Sequence, residues 1–286
     1  MFVACELEFI GRSRLIPSFA EWEVAKGANH GSGRVGLSPV GKVIGMVVSG
    51  GAAGFGEISL SQEIINLGCV DVISAGAISQ AALYALLRFP NVRMSGRILD
   101  DDITAESNLN RNMLTVKDDI GTSKVQLAAD ICADKFHLQP IVTRFTGTGS
   151  QIGGLASRVL LGVDDIPSRW EVQRQSPGWL AVGGTSHFSI SSSDHSPTDP
   201  CCGCLHPVDD LAGGNSIPTV SFVSFWTGLA TAVRLLRQCV GQPYGRDQQH
   251  LWLTPLRLDQ PHAALWLPVA PTRNCPVRCP ASQALK

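Results

Sequence analysis

Charge is scarce in this chain of 286 residues: only 16% are Asp, Glu, Lys or Arg, and 23 basic side chains against 24 acidic ones leave a formal net charge of -1. No run of like charge is longer than Asp100-Asp101-Asp102. The electrostatic footprint of a duplex-binding protein is missing, so nucleic acid is not the expected partner. Basic residues are missing from the start as well. Met1-Phe2-Val3-Ala4-Cys5-Glu6-Leu7-Glu8 puts acids where a secretory signal would put Lys or Arg, and no small-residue cleavage site follows an apolar run. Long apolar runs are also lacking. The most apolar stretch, Ile217 to Val233, is broken by Pro218 and Gly228, falls short of the roughly 20 residues a membrane span needs, and reads as a core helix. A cytoplasmic protein without a membrane segment is the expectation.

What is present is an ordinary globular composition, with 44% hydrophobic residues, 29 Gly and 17 Pro, which excludes disorder and collagen. At roughly 150 residues per domain, the length fits one large domain or two modest ones. The cysteines number nine, an odd count, with three inside Cys201 to Cys204 and two in Cys275 to Cys279. That clustering suits metal ligation in a reducing compartment better than a disulfide framework.

Residues 1 to 65 are an N-terminal extension that resists reading. Its glycine patches, Gly31-Ser32-Gly33, Gly50-Gly51 and Gly54-Phe55-Gly56, lack a strand-then-helix context and read as loops and short packing segments. From Cys69 the pattern becomes regular. Cys69 to Ile73 reads as a buried strand, Ser74-Ala75-Gly76-Ala77-Ile78-Ser79 as a tight turn, and Gln80 to Phe89 as a helix stopped by Pro90. Val92 to Leu99 gives a second strand, and Asp100 follows it at a distance from the turn where a carboxylate meets a ribose in a βαβ unit. A helix from Ser123-Lys124 to Phe136 follows, then strands at Ile141 to Phe145, Val159 to Val163, Trp179 to Gly183 and Phe188 to Ser191. A long helix from about Thr219 to Cys239 precedes late strands at Leu251 to Leu258 and Ala263 to Leu267. The expected fold class is α/β, a Rossmann-like sheet with helices on both faces. Asp100 and Asp164-Asp165 both stand at carboxyl ends of strands, the edge where open α/β sheets bind ligands.

The glycine turn by itself is a weak signal, since only Gly76 remains of three small positions, with Ser74 and Ser79 at the outer two. A helix-packing turn explains it equally well. The cysteines form a separate line: Cys201-x-x-Cys204 and Cys275-x-x-x-Cys279 supply four thiolates, the ligand set of a closed structural Zn²⁺ site that would staple the tail to the body. His206 stands beside the cluster as a replacement ligand or a bystander.

Read together, Asp102-Ile103-Thr104-Ala105-Glu106-Ser107-Asn108-Leu109-Asn110-Arg111, then Gly121-Thr122-Ser123-Lys124, then Asp164-Asp165 with Arg169 close behind, strongly resemble the ThiF/MoeB/HesA superfamily, the activating enzymes of ubiquitin-like proteins. The Ser-Asn-Leu-Asn-Arg string is the specific part, and the resemblance spans roughly residues 69 to 280, about three quarters of the chain. It implies that residues 66 to 286 form an adenylation domain with a C-terminal zinc site. Such an enzyme joins the C-terminal carboxylate of a β-grasp protein, or of a peptide, to AMP and releases pyrophosphate. Cations and Mg²⁺ must then surround the triphosphate. The resemblance makes Asp100 the ribose-binding acid, with Gly76 and Asp102 lining the nucleotide. It makes Asn108 and Arg111 triphosphate ligands, Lys124 the phosphate-neutralising lysine and Asp164 the Mg²⁺-associated acid. It also implies a homodimer, with Arg12, Arg14 and Arg34 as candidates for an arginine inserted into the partner subunit's site. Relatives often carry a catalytic cysteine between the first cysteine pair and the next helix, and Leu205 to Val220 holds none; Cys202 is the alternative nucleophile. Two other readings stand beside adenylation. One is a scaffold that has lost ATP through its serine-bearing turn while still docking a ubiquitin-like partner. The other is a nicotinamide-dependent dehydrogenase, which leaves Asn108, Arg111, Lys124 and the cysteine pairs without a role.

Overall fold

The structure, a computed structural model, describes residues 43–46, 55–58, 64–146, 152–186, 188–209, 220–254 and 264–285. The chain divides into two compact units, Met1–Gln62 and Glu63–Lys286. In the first, β1 (Val43–Met46) and β2 (Phe55–Ile58) pair antiparallel, Met46 opposite Phe55. The Gly54-Phe55-Gly56 patch, expected as loop, therefore runs into a strand; Gly31 to Gly33 lies outside the described residues.

The second unit is an α/β domain. Its strands are β3 (Ile65–Ile73), β4 (Val92–Leu99), β5 (Phe136–Ile141), β6 (Arg158–Leu161), β7 (Trp179–Ser186), β8 (Ser189–His195), β9 (His250–Leu253) and β10 (Ala264–Leu267). Its helices are α1 (Ala77–Arg88), α2 (Lys124–Cys132), α3 (Ile166–Arg174), α4 (Cys202–Leu205), α5 (Ser221–Cys239) and α6 (Pro280–Gln283). The eight strands order as β10-β9-β8-β7-β6-β3-β4-β5. From β5 to β7 all neighbours are parallel, and from β7 to β10 all are antiparallel. The chain runs outward from β3 through β4 to β5, then returns to place β6 on the other side of β3. That reversal opens a crevice at the carboxyl ends of β3 and β6, where doubly wound sheets bind ligands.

Side-chain alternation divides the interior between the two faces of the sheet. Val70 and Val72 of β3, Leu160 of β6 and Ala181 of β7 join α1, α2 and α5 in one apolar cluster. Their neighbours Ile73, Val159, Leu161, Leu180 and Val182 join Val172 of α3 in the other. Helices thus cover both faces. Small residues let α1 settle onto the strand ends: a Cβ on Gly162 would lie 2.6 Å from Ser79 Oγ, and one on Gly228 of α5 would lie 2.4 Å from the Ile78 carbonyl and 2.5 Å from Ala81 Cβ.

Several boundaries differ from the sequence expectation. The strand expected from Cys69 begins at Ile65. The helix expected to reach Phe136 stops at Cys132, because Lys135 N bonds back to the Cys132 carbonyl and turns the chain, and Phe136, fully buried, opens β5 instead. The strand expected at Ile141 to Phe145 is thereby displaced, with only Ile141 in β5. Pro140 is tolerated because β5 is an edge strand whose outer side needs no ladder donor. Helix α3 was not expected: its composition is polar, but Asp165 caps it through Ser168 N at 2.8 Å and Pro167 sits in its first turn. Strand β9 ends at Leu253, and residues 255 to 258 lie outside the described residues. No helix among the described residues is long and apolar enough to cross a membrane.

The antiparallel half carries a buried polar core. Ser193 Oγ and His195 Nε2 are 2.9 Å apart, Ser191 Oγ and His250 Nε2 are 3.0 Å apart, and His195 Nδ1 lies 2.8 Å from the Pro200 carbonyl. On the opposite face of β8, the buried Arg234 guanidinium bonds Ser192 and pairs with Asp194. Burial pushes both His195 and His250 down to about 4, with the Arg234 charge adding in the same direction. Each is neutral when folded and binds its proton near pH 6.5 when unfolded. Stability from these two groups is complete above pH 6.5 and declines toward pH 4, by roughly 2–3 kcal/mol per pH unit at the steepest. Melting followed by circular dichroism from pH 7 to pH 4.5 is expected to show this decline, and His195→Gln is expected to flatten it. An equal slope in that variant would refute the assignment. Separately, Gly228→Ala is expected to cost about 1–3 kcal/mol by overpacking the crossing of α1 and α5, read as a lowered urea midpoint.

Candidate nucleotide crevice and four-thiol site

At the head of the crevice the chain leaves β3 through Ser74, whose φ of 80° lies in the left-handed region that favours glycine. This explains in backbone terms why a glycine is the economical residue at that turn. Ser74 instead uses its hydroxyl: Oγ accepts from Gly76 N at 3.1 Å and donates to Asp100 Oδ2 at 3.3 Å. The same Asp100 oxygen accepts from Ala75 N at 2.6 Å, while Oδ1 accepts from Asp102 N at 2.9 Å. Asp100, at the end of β4, therefore clasps the turn at the end of β3. Gly76 is the N-cap of α1, and no side chain caps that helix, which leaves its first-turn N–H groups without a capping acceptor. Ser79 is turned inward, buried against Gly162.

Lys124 opens α2, nearly buried at 8% side-chain exposure, and its Nζ pairs with Asp102 Oδ2 at 2.6 Å, while Asp102 itself is 63% exposed. Its backbone N also bonds the Asp102 carbonyl. The structure thus brings Gly76, Asp100, Asp102 and Lys124 into one connected group. Asn108 and Arg111 lie on the loop between β4 and α2. Asn108 is buried, its Oδ1 accepting from Ala105 N at 3.0 Å, and Arg111 Nη1 donates to the Ser107 carbonyl at 2.5 Å and to Asn110 Oδ1 at 3.1 Å. Both spend contacts on shaping their own loop. Asp164 is exposed just beyond β6, the strand beside β3. Behind it Arg169 is buried, with Nε and Nη2 donating to the Val163 carbonyl at 3.2 and 3.1 Å. Burial lowers the pKa of Arg169. Arg12, Arg14 and Arg34 lie outside the described residues.

Sequence reasoning missed Gln80. Fully buried in α1, it donates from Nε2 to the Ala75 carbonyl at 3.0 Å and accepts at Oε1 from Leu114 N and Thr115 Oγ1, both at 3.1 Å. It fastens the turn to the loop that carries Asn108 and Arg111. The available signal was a lone amide among Ile78, Ala81, Ala82 and Leu83, where a polar side chain must find internal partners.

Far along the chain, Cys201, Cys204, Cys275 and Cys279 are all buried, and their sulfurs lie within 4.8 Å of one another. Cys201 and Cys275 are 3.4 Å apart at Sγ, and Cys204 and Cys279 are 3.5 Å apart. Tetrahedral thiolates about 2.3 Å from Zn²⁺ stand about 3.8 Å from each other, so the quartet fits a structural metal. The longer second spacer closes because Arg278 takes φ 56° and its N bonds the Cys275 carbonyl at 3.1 Å. Cys204 is pulled down to about 5 by the hydrogen bond from Cys201, whose own thiol is raised by giving it. The quartet is complete without His206. Cys202 points away from it, buried, its Sγ donating to the Arg169 carbonyl, and burial raises it to about 12. A thiol so held is a poor nucleophile.

No family model matches the chain. Among curated proteins, the uncharacterized protein y4jF of Sinorhizobium fredii (strain NBRC 101917 / NGR234) is 26% identical over 146 residues, 50% of this chain but 28% of that relative's length. The match thus spans little more than a quarter of that relative. Among solved structures, MccB of E. coli superposes with a TM-score of 0.57 at 14% identity, covering 75% of this chain and 67% of that one. PaaA superposes with a TM-score of 0.52 at 15% identity, covering 70% and 64%. The chain shares its fold with MccB and PaaA. MccB, the microcin C7 biosynthetic enzyme, has been crystallised with ATP and with MccA.

The four-thiol geometry has a direct check. Protein isolated with zinc is expected to carry one ion per chain by elemental analysis. Cys275→Ser and Cys204→Ser are expected to lose it, whereas Cys202→Ser keeps it. Zinc lost with Cys202→Ser would reassign the ligands.

Proposed function

We propose that the chain is an ATP-dependent adenylyltransferase that activates the C-terminal carboxylate of a small partner, a peptide or a β-grasp protein. The observation that carries this reading is the connected group at the crevice: the uncapped start of α1, Asp100 clasping the turn, and Lys124 held nearby by Asp102. The likeness of the fold to MccB, crystallised with ATP, supports it.

In this reading a carboxylate oxygen of the partner attacks the α-phosphorus of ATP. The bond from that phosphorus to the bridging oxygen breaks, and pyrophosphate leaves. Asp100 accepts from the ribose hydroxyls, and the orphan N–H groups of α1 meet phosphate oxygens. Lys124 exchanges Asp102 for phosphate. Because Asp102 is largely solvated, breaking that pair costs only about 0–1 kcal/mol, while a buried ammonium gains a doubly charged partner. Arg111 and Asn108 close over the triphosphate from their loop. Asp164 and its neighbourhood are where Mg²⁺ would be held, and that ion would neutralise the leaving pyrophosphate. Two copies of the chain act as a homodimer.

A second reading has its own observation. Ala75 N and Gly76 N, the turn donors closest to a bound phosphate, are already taken by Asp100 and by Ser74 Oγ. A turn saturated in this way suits a scaffold that docks a ubiquitin-like partner without ATP.

One experiment separates them. Calorimetry of ATP with Mg²⁺, and of NAD, is paired with pyrophosphate exchange in the presence of candidate peptides. Adenylation requires ATP binding without NAD binding, a loss of ATP affinity of at least about tenfold in Lys124→Ala and Arg111→Ala, and exchange abolished in Asp164→Ala. Absence of binding at millimolar ATP in the natural chain, with binding gained in Ser74→Gly, would establish the scaffold instead.

A further inference from the structure

The four-thiol knuckle and the loop of Asp164 are both hydrogen-bonded to one short helix. On the knuckle side, α3 is tied to both cysteine-bearing segments. Trp170 Nε1 donates to the His206 carbonyl at 2.9 Å, Cys202 N to Gln173 Oε1 at 3.3 Å, Cys202 Sγ to the Arg169 carbonyl at 3.3 Å, and Arg174 Nη2 to the Pro276 carbonyl at 3.0 Å. Two of these bonds reach Cys202, which sits between Cys201 and Cys204 of the four-thiol group. On the crevice side, the Asp165 carboxylate caps the helix through Ser168 N at 2.8 Å. Arg169 holds the preceding loop by its carbonyls, Val163 at 3.2 and 3.1 Å and Asp164 at 3.4 Å. Arg169 therefore takes part in both sets, its backbone bound to the knuckle and its side chain to the loop of Asp164. The guanidinium is also pressed over Gly184, where a Cβ would come within 3.0 Å, so it has no room to slide.

We infer that metal ligation at Cys201, Cys204, Cys275 and Cys279 sets the position of the Asp164 loop, with α3 as the strut and Arg169, Trp170 and Gln173 as positioning residues. A ligated quartet fixes α4 and the segment around Pro276, and these fix α3 by the bonds above. Arg169 and the Asp165 cap then hold the loop at the mouth of the crevice. Its consequence for nucleotide rests on the adenylation reading, whereas the coupling itself does not.

The test uses hydrogen exchange with mass spectrometry on the full zinc-loaded chain and on the double variant Trp170→Phe/Gln173→Met, which removes one donor and one acceptor without touching a cysteine. The expected result is zinc content unchanged, amide exchange over residues 163–170 accelerated at least about tenfold, and protection in β3 and β6 unchanged, as befits a local opening. Gln173→Glu, which retains an acceptor oxygen, is expected to stay close to the natural chain. Chelation of the metal from the natural chain is expected to accelerate the same amides before those of the sheet, and it serves alone if the double variant does not fold. Unchanged exchange over 163–170 after chelation, or in a zinc-loaded double variant, would overturn the inference. ATP affinity with Mg²⁺ is read in parallel. A faster loop with about tenfold weaker binding supports both readings, and a faster loop in a chain that binds no nucleotide leaves the coupling intact while removing adenylation.

Discussion

The Asp100 carboxylate is the constraint on which the crevice depends. Asp100 joins the end of β4 to the turn after β3, taking Ala75 N and Ser74 Oγ on one oxygen and Asp102 N on the other. Through Asp102 the link reaches Lys124 and α2, and through Ala75 and Gln80 it reaches the loop of Asn108 and Arg111. One carboxylate thus organises turn, helix start and loop. It also accounts for the left-handed Ser74. The clasp points Ser74 Oγ at the turn's own N–H, which offsets part of the strain that a side chain bears at that φ.

The sheet's central strands were legible because their chemistry is local. A run such as Val92 to Leu99 between a proline turn and an acidic triplet has one sensible reading, and β4 occupies those residues. Where the expectation failed, a non-local effect decided. Phe136 continues the helical pattern of α2 on paper, yet its ring is fully buried on β5, and that burial outweighs the helical propensity of Ala133 and Lys135 before it. Helix α3 failed in the other direction. Its face is too polar for periodicity to reveal, and its stability comes from a cap, a proline and bonds to distant cysteines, of which only the first two can be read in the sequence.

The antiparallel half shows another limit. Ser189-Ile190-Ser191-Ser192-Ser193-Asp194-His195 has the composition of a solvated edge, but β8 lies between β7 and β9 and its polar groups are buried on both faces. They are tolerated because every one from Ser191 to His195 finds a partner: Ser191 meets His250, Ser192 and Asp194 meet Arg234, Ser193 meets His195, and His195 meets the Pro200 carbonyl. Apart from the Ser193–His195 pair within the strand, those partners come from residues 40 to 59 positions away along the chain, or from the turn that follows. Of the candidate site, residue types and order were readable, as were the four thiols. The exchange of hydrogen bonds within the turn was not, since it depends on a backbone angle.

That turn poses a conflict which any function of the crevice must resolve. Each backbone N–H can satisfy one strong acceptor at a time. At Ala75 and Gly76 the acceptor is supplied by the chain itself, which rigidifies the site and removes two donors from an incoming anion. The donors that remain belong to the first turn of α1, one step deeper, where Gly162 and Gly228 let the helix lie close against strand and helix neighbours. In the proposed adenylation, binding would rest on the charge of Lys124 and the first-turn amides of α1 to a greater degree than in a site whose glycine turn leaves its own N–H groups open. Ser74 and Asp100 commit the turn's N–H groups to a clasp that holds the two strands together without any ligand.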